Sequence, residues 1–334
     1  MARILEIRDL SISFRIFREI AKVINGVDLI VDKGETVALV GETGCGKSTV
    51  ARAIMGALPV PPALITRGEM LFEGRDLLAM DENEKRRIRG SRISMVFQDP
   101  MTFINPVFTI GEQLRDIKKW QGKKSVGPHE YLVDHFKKKN NIEVDEAIID
   151  ILDKMGLPSP RDVMKRYPVE LSGGMRQRVL IGMALINDPE LLIADEPGTA
   201  LDVTIQKQIF DLLRERVERR GISVLYITHN LGVARRLSQK TYIMYAGEIV
   251  ETAQTENLFR NPMHPYAQGL LDAVPKLTGE MKQGMRGRIP DYISPPEGCR
   301  FHPRCDHRLS KCDKVVPRFV ELERGHQVRC HLYQ

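Results

Sequence analysis

Cysteine and tryptophan are scarce in this chain: five cysteines and one tryptophan among 334 residues. Four of the cysteines, Cys299, Cys305, Cys312 and Cys330, fall in the last 36 residues, and Cys45 stands alone near the start. Thiol chemistry is therefore confined to the tail, Cys45 apart. No run of 18 or more apolar residues occurs, so no segment is expected to span a bilayer. The start, MARILEIRDLSISF, alternates like a strand; it lacks the basic head, apolar middle and small-residue cleavage site of a signal peptide. The chain accordingly reads as cytosolic, a compartment that disfavours disulfides. Internal repeats and low-complexity tracts are absent. Aromatics make up 6% and are not interleaved with basic residues, which argues against stacking on nucleic-acid bases. The net charge of +6 is mild for this length and reads as a mixed, solvated surface. The densest basic stretch, KKWQGKKSVGPHEYLVDHFKKKNN (118–141), reads as a solvated insertion, with anionic lipid heads as an alternative neighbour.

What is present is ordinary for a globular protein: 42% hydrophobic and 28% charged residues. The length suggests two domains, or one large domain with appendages. Short strands are expected in RILEIRDLSISF, INGVDLIV and TVALVG, with a turn at Asp32-Lys33-Gly34-Glu35. A helix should begin within GCGKSTVARAIMGAL and end before PVPP. Residues 67–97 offer a strand, the charged helical piece DENEKRRIRG and the strand RISMVFQ. From about 99 to 187 the pattern is mainly helical. Then LLIAD, TIQKQIFDLLRERVERRG, SVLYITH, LGVARRLS and TYIMYAG alternate, which indicates a parallel sheet covered by helices and an α/β fold. Past Asn261 prolines multiply and periodicity fades, so a boundary is placed near 260, separating 1–260 from 261–334.

GETGCGKST (Gly41–Thr49) follows the strand TVALV and opens a helix, the context that makes a phosphate loop. Gly41, Gly44 and Gly46, with Glu42, Thr43 and Cys45 between them, let the backbone wrap phosphates with its N–H groups pointing inward. Lys47 reaches the terminal phosphates, the Ser48 hydroxyl suits Mg²⁺, and Thr49 closes the ATP-binding set; Cys45 reads as a passive small side chain. LLIADE (Leu191–Glu196) is an apolar run ending in two acids at the carboxyl edge of a strand, where ligands bind. Asp195 would hold Mg²⁺ through water and Glu196 would orient the attacking water. LSGGMRQR (Leu171–Arg178) opens a second helix with Ser172, Gly173, Gly174 and Met175, a second anion-binding N-terminus. One nucleotide loop and two anion sites suggest a dimer in which this element caps the partner's nucleotide.

These motifs, in the order phosphate loop, Gln98 of VFQDP, LSGG, LLIADE, TALD (Thr199–Asp202) and His229 of YITHN, resemble the ATPase subunits of ABC transporters over residues 3–260. The resemblance implies a RecA-like parallel-sheet core, an antiparallel β subdomain and a helical subdomain near 99–187. It implies that Gln98 contacts Mg²⁺ and the attacking water. Leu171 to Met175 would reach across the dimer, Asp202 would lie at the protomer boundary, and His229 would contact the γ-phosphate. An upstream aromatic, Phe14 or Phe17, would stack on adenine. Met175, Gly198 and Asn230 depart from the commoner Gln, Thr or Ser, and Asp. NPMHPYAQGLLDAVP (261–275) and PPEGCRFHPRC resemble the ATPase subunits of oligopeptide/dipeptide permeases. Implied partners are a second, non-identical cassette, two transmembrane permease subunits and an extracytoplasmic solute-binding protein, with the chain peripheral on the cytoplasmic face of the membrane and no nucleic acid. Peptide is the implied solute; nickel or oligosaccharide remain alternatives. A soluble ABC ATPase of the ribosome, nucleic acid or iron–sulfur assembly is the rival reading, and a non-hydrolysing regulatory module the third.

The tail spacing C-x5-C-x6-C-x17-C matches neither a zinc finger nor a ferredoxin. Unconnected thiols, two disulfides and a four-cysteine zinc site are open, with His302, His307, His326 and His331 as substitute ligands. The family resemblance adds a 4Fe–4S cluster on Cys299, Cys305, Cys312 and Cys330. The last 45 residues are poor in apolar side chains, and pieces of this size commonly need a cross-link or a metal.

Overall fold

The structure, a computed structural model, describes residues 2–97, 103–121, 142–198, 203–273 and 285–334. It forms two compact units, Met1–Leu78 with Leu225–Gln334, and Ala79–Val224. In the first unit β1 (Arg3–Ile16) and β2 (Glu19–Asp32) form a long antiparallel ribbon. Leu5 and Ile7 point inward; a register shift beyond Ile7, where Asp9 adopts φ 48°, changes the parity, and Leu10 and Ile12 point inward again. A bulge thus keeps one apolar face on the core along 14 residues. With β4 (Ala63–Phe72) and β5 (Arg75–Asp76) the order is β2-β1-β4-β5.

The apolar run TVALV becomes β3 (Thr36–Val40), buried at all five positions and parallel to β9 (Lys240–Tyr245). Burial on both faces is what a continuous apolar strand implies. On the far side of β9 come β10 (Glu248–Gln254), β12 (His326–Val328) and β11 (Val320–Glu323), and β8 (Ser223–Thr228) follows β3. Helices α1 (Lys47–Ile54), α8 (Leu231–Leu237), α9 (Thr255–Arg260) and α10 (Pro265–Asp272) complete this unit.

The second unit holds the parallel pair β6 (Ile93–Val96) and β7 (Leu191–Asp195) with six helices among its described residues. These are α2 (Glu82–Ile88), α3 (Ile110–Trp120), α4 (Ile142–Lys154), α5 (Pro160–Val163), α6 (Gly173–Leu185) and α7 (Val203–Arg220). Reciprocal capping boxes, Asp81 with Glu84 and Thr109 with Glu112, start α2 and α3. Arg115 of α3 grips Asp145 of α4 with two bonds of 2.6 and 2.9 Å. Val179, Leu180, Ile181 and Leu185 of α6 are buried, each worth roughly 1.5–3 kcal/mol.

The described residues after 260, 261–273 and 285–334, pack into the first unit. β12 pairs with β10, and Phe301 meets Tyr245 edge-on at 5.0 Å, as does Tyr266 at 4.7 Å. Periodicity fades there, as the sequence implies, because the segment is held by polar contacts more than by long elements. The buried Glu251 of β10 accepts from the backbone N–H groups of Met263 (2.9 Å) and His264 (2.8 Å), and bonds His326 Nε2 at 2.8 Å. His264 Nδ1 accepts from the Tyr266 N–H at 3.0 Å and so caps α10. Full burial lowers the pKa of His264 from 6.5 to about 3, because the apolar surround disfavours the imidazolium.

A histidine whose folded pKa is depressed contributes stability that is complete above the unfolded value and is lost as pH falls from about 6.5 towards 3. Denaturation midpoints measured between pH 7.5 and 4.5 should therefore fall more steeply in the wild type than in His264→Asn, which keeps a capping acceptor. The His264 component has a slope of up to about 1.4 kcal/mol per pH unit. Parallel curves for the two proteins would reject this account.

Candidate functional site

The phosphate loop runs from the end of β3 into α1. Its shape follows from its glycines. A Cβ on Gly41 would lie 2.2 Å from the Met244 carbonyl oxygen, and Gly46, the N-cap of α1, has φ 107°. The Cys45 carbonyl accepts from the Gly247 N–H at 2.8 Å, which ties the loop to the β9–β10 turn. Lys47 is buried, and its ammonium donates to the carbonyls of Gly41 (2.8 Å) and Glu42 (2.9 Å). The loop thus holds its cation with its own backbone, ready to exchange those carbonyls for phosphate oxygens. Thr43 and Gly44 are exposed, and Ser48 and Thr49 are half-buried on the first turn of α1. Cys45 is fully buried, and burial raises its pKa, so its thiol stays protonated and packs as a small apolar group, as the sequence suggests.

Two aromatics were open for the base. Phe14 is half-buried within the β1–β2 ladder, opposite Ala21. Phe17 sits at the hairpin tip with φ 53° and 97% of its surface exposed. His229 is exposed at the end of β8. Asn230, where Asp is commoner, caps α8 by accepting from Gly232 N (2.9 Å) and Val233 N (3.3 Å).

In the second unit Asp195 and Glu196 are both buried at the carboxyl end of β7, and Glu196 has φ 48°. A non-glycine residue in this region is uncommon and marks a constrained position. Two glutamines that sequence reasoning missed hold the two residues that follow Glu196. Buried Gln177 of α6 donates to the Pro197 carbonyl at 2.7 Å, and Gln206 of α7 donates to the Gly198 carbonyl. Gln177 lies within MRQR, two residues after Met175, and its helical spacing from Gly173 was the available signal. Leu171 is buried, and Ser172 caps α6, its Oγ accepting from Met175 N at 3.3 Å. At Gly173 the space where a side chain would stand is open, with no heavy atom within 4 Å of a Cβ there. Gln98 and Asp202 lie outside the described residues.

In the tail, all four cysteines are free thiols, so neither disulfide is present. They sit within electrostatic reach of one another: Cys299 of Cys312 and Cys330, and Cys305 of Cys312 and Cys330. Burial pushes the Cys299 thiol up to about 12. No group of three or more His, Cys, Asp or Glu among the described residues forms a site for a metal ion. Three of the histidines expected as substitute ligands are engaged elsewhere: His326 with Glu251, His331 with the Val315 carbonyl at 2.8 Å, and His302 with the Cys299 carbonyl at 2.9 Å.

With this geometry in hand, comparison with known proteins is direct. The ABC transporter family profile matches residues 24–199, and that of the oligopeptide/dipeptide transporter C-terminal region matches residues 250–312. The chain is 42% identical to the dipeptide transport ATP-binding protein of Bacillus subtilis, over 99% of its own length and 95% of that protein's. It is 40% identical to the oligopeptide transport ATP-binding protein AppD of the same organism, over 100% and 98%. A dimeric ATP-binding cassette in a post-hydrolysis state with ADP and Pi superposes with a TM-score of 0.64 at 25% identity, covering 75% of this chain and 98% of the other. On its loop, its signature helix start and these matches, the chain belongs to the ABC transporter family, as an ATP-binding subunit of the oligopeptide/dipeptide type.

Proposed function

We propose that this chain hydrolyses ATP to drive import of di- or oligopeptides through separate membrane permease subunits. The observation that carries the peptide assignment is the match of residues 250–312 to the oligopeptide/dipeptide transporter C-terminal region, supported by the named activities of its relatives. The same match disfavours a soluble ATPase of the ribosome or of nucleic acid. No helix of the described residues is long and apolar enough to cross a membrane, which suits a peripheral subunit on the cytoplasmic face. Partners on this reading are a second cassette, two permease subunits and a solute-binding protein.

Phosphoryl transfer calls chiefly for positioning and charge neutralisation. Lys47 exchanges its backbone carbonyls for the terminal phosphate oxygens, and the backbone N–H groups of Gly44 to Ser48 cradle the rest. Phe17, exposed at the hairpin tip, is the aromatic offered to adenine. Glu196 orients and polarises the attacking water beside a backbone that Gln177 and Gln206 hold; His229 contacts the γ-phosphate, and Gln98 would contact Mg²⁺ and the attacking water. The half-buried Ser48 hydroxyl and the buried Asp195 carboxylate are hard oxygen donors suited to Mg²⁺, which supplies charge neutralisation at the phosphates when bound. Ser172 to Gly174, with Asp202, would complete the partner protomer's site, so that ATP closes the dimer and hydrolysis reopens it.

The four reduced tail thiols share one neighbourhood, which supports a group held by all four of them. On this reading Cys299, Cys305, Cys312 and Cys330 hold a 4Fe–4S cluster, whose chemistry when bound is a fourfold covalent cross-link of the tail.

Lys47→Ala in the purified transporter should lower ATP hydrolysis by about 100-fold or more; near-normal turnover would refute the loop assignment. Glu196→Gln should retain ATP binding, lose about 10²–10³ in turnover and accumulate a closed dimer visible by size-exclusion with ATP. Normal hydrolysis in that variant would remove Glu196 from its role. Anaerobically purified protein should contain iron and acid-labile sulfide near four each per chain, and stoichiometric zinc in colourless protein would replace the cluster assignment.

A further inference from the structure

The tail touches the phosphate loop directly. Arg304, beside Cys305, places its guanidinium on the Glu42 carboxylate with two bonds, Nη1 to Oε2 at 2.9 Å and Nη2 to Oε1 at 3.0 Å. Its Nε donates to the Arg286 carbonyl at 2.8 Å, and only 6% of the side chain is exposed. A buried, bidentate fork of this kind is directional and hard to replace by lysine. Two tyrosines add to it. The Tyr292 hydroxyl donates to the Gly44 carbonyl at 2.7 Å, while its own backbone carbonyl accepts from Lys22 N of β2 at 2.7 Å. The Tyr266 hydroxyl, at the start of α10, accepts from Glu42 N at 2.9 Å. Arg300, one residue past Cys299, anchors the same segment by donating to the Ala246 carbonyl at 2.6 Å.

We propose that the C-terminal segment is a brace for the nucleotide, in which Arg304, Tyr292 and Tyr266 hold the phosphate loop by Glu42 and Gly44. The inference rests on the reading of Gly41–Thr49 as the ATP loop and deepens it. These are positioning residues: none of them needs to touch ATP. Arg304 has a second effect through charge. Glu42 puts a carboxylate into a loop built for anions, and like charges there weaken triphosphate binding. The guanidinium offsets that charge before ATP arrives.

The test uses the full chain, with a fluorescent MgATP analogue for affinity, and hydrogen exchange of residues 41–47 in the nucleotide-free protein. Arg304→Gln should weaken MgATP binding about tenfold, raise KM for ATP while kcat in the transporter stays within about twofold, and speed exchange in the loop. Tyr292→Phe, which removes one hydroxyl, should weaken binding about threefold. Adding Glu42→Gln to Arg304→Gln should recover part of the lost affinity, which a merely structural defect would not do, and Arg304→Lys should be intermediate. Unchanged affinity and exchange in both Arg304→Gln and Tyr292→Phe, or no recovery in the double variant, would overturn the brace. A wild-type chain that fails to bind MgATP would instead reject the nucleotide reading, while the exchange rates would still judge the contact.

Discussion

A buried ammonium held by backbone carbonyls is the constraint around which the phosphate loop is built. Lys47 is 5% exposed, and its charge is met by the Gly41 and Glu42 carbonyls. Burying a cation is expensive unless every donor finds an acceptor. The loop must therefore stay curled when empty, and the contacts around it serve that end. Gly41 passes against the Met244 carbonyl where no side chain would fit, and the Gly247 N–H holds the Cys45 carbonyl. A loop held in this way loses little entropy on meeting phosphate, which is the physical meaning of preorganisation.

The same logic explains why the tail belongs to the nucleotide-loop unit. A segment poor in apolar residues is secured here by buried polar atoms with defined partners. Glu251 gathers two backbone donors and His326, while His264 stays neutral and caps α10. The aromatic trio Tyr245, Tyr266 and Phe301 supplies the apolar contact between these polar links. Such networks are costly when half satisfied and specifying when complete. They place Arg300 and Arg304 at the loop's back, far from where their position in the chain suggests.

In the second unit the signature helix and the acidic strand end are joined by one amide. Gln177 takes its place on α6 because Ser172 starts that helix, and its donation to Pro197 reaches the residue after Glu196. The helix that Ser172 starts and the backbone beside the acid are thus linked through Gln177. Gly198 and Asn230, departures from the commoner residues, are absorbed locally, by Gln206 and by the capping of α8.

Composition, strand–turn–helix order and glycine spacing determined the α/β class, the phosphate loop, the acidic strand end and the signature helix start, because each depends on local backbone geometry written in consecutive residues. The alternation of β1 and the continuous run of β3 were legible for the same reason. The difference between Phe14 and Phe17 was not legible; it lies in a hairpin register that half-buries one and leaves the other exposed at the tip. Gln177, Tyr266, Tyr292 and Arg304 were likewise hidden, since each acts on a partner set by chain folding, across as many as 262 residues for Arg304 and Glu42. Long-range hydrogen bonds have no period and no motif, so only the tertiary structure could decide that a cysteine-bearing tail lies against the loop for ATP.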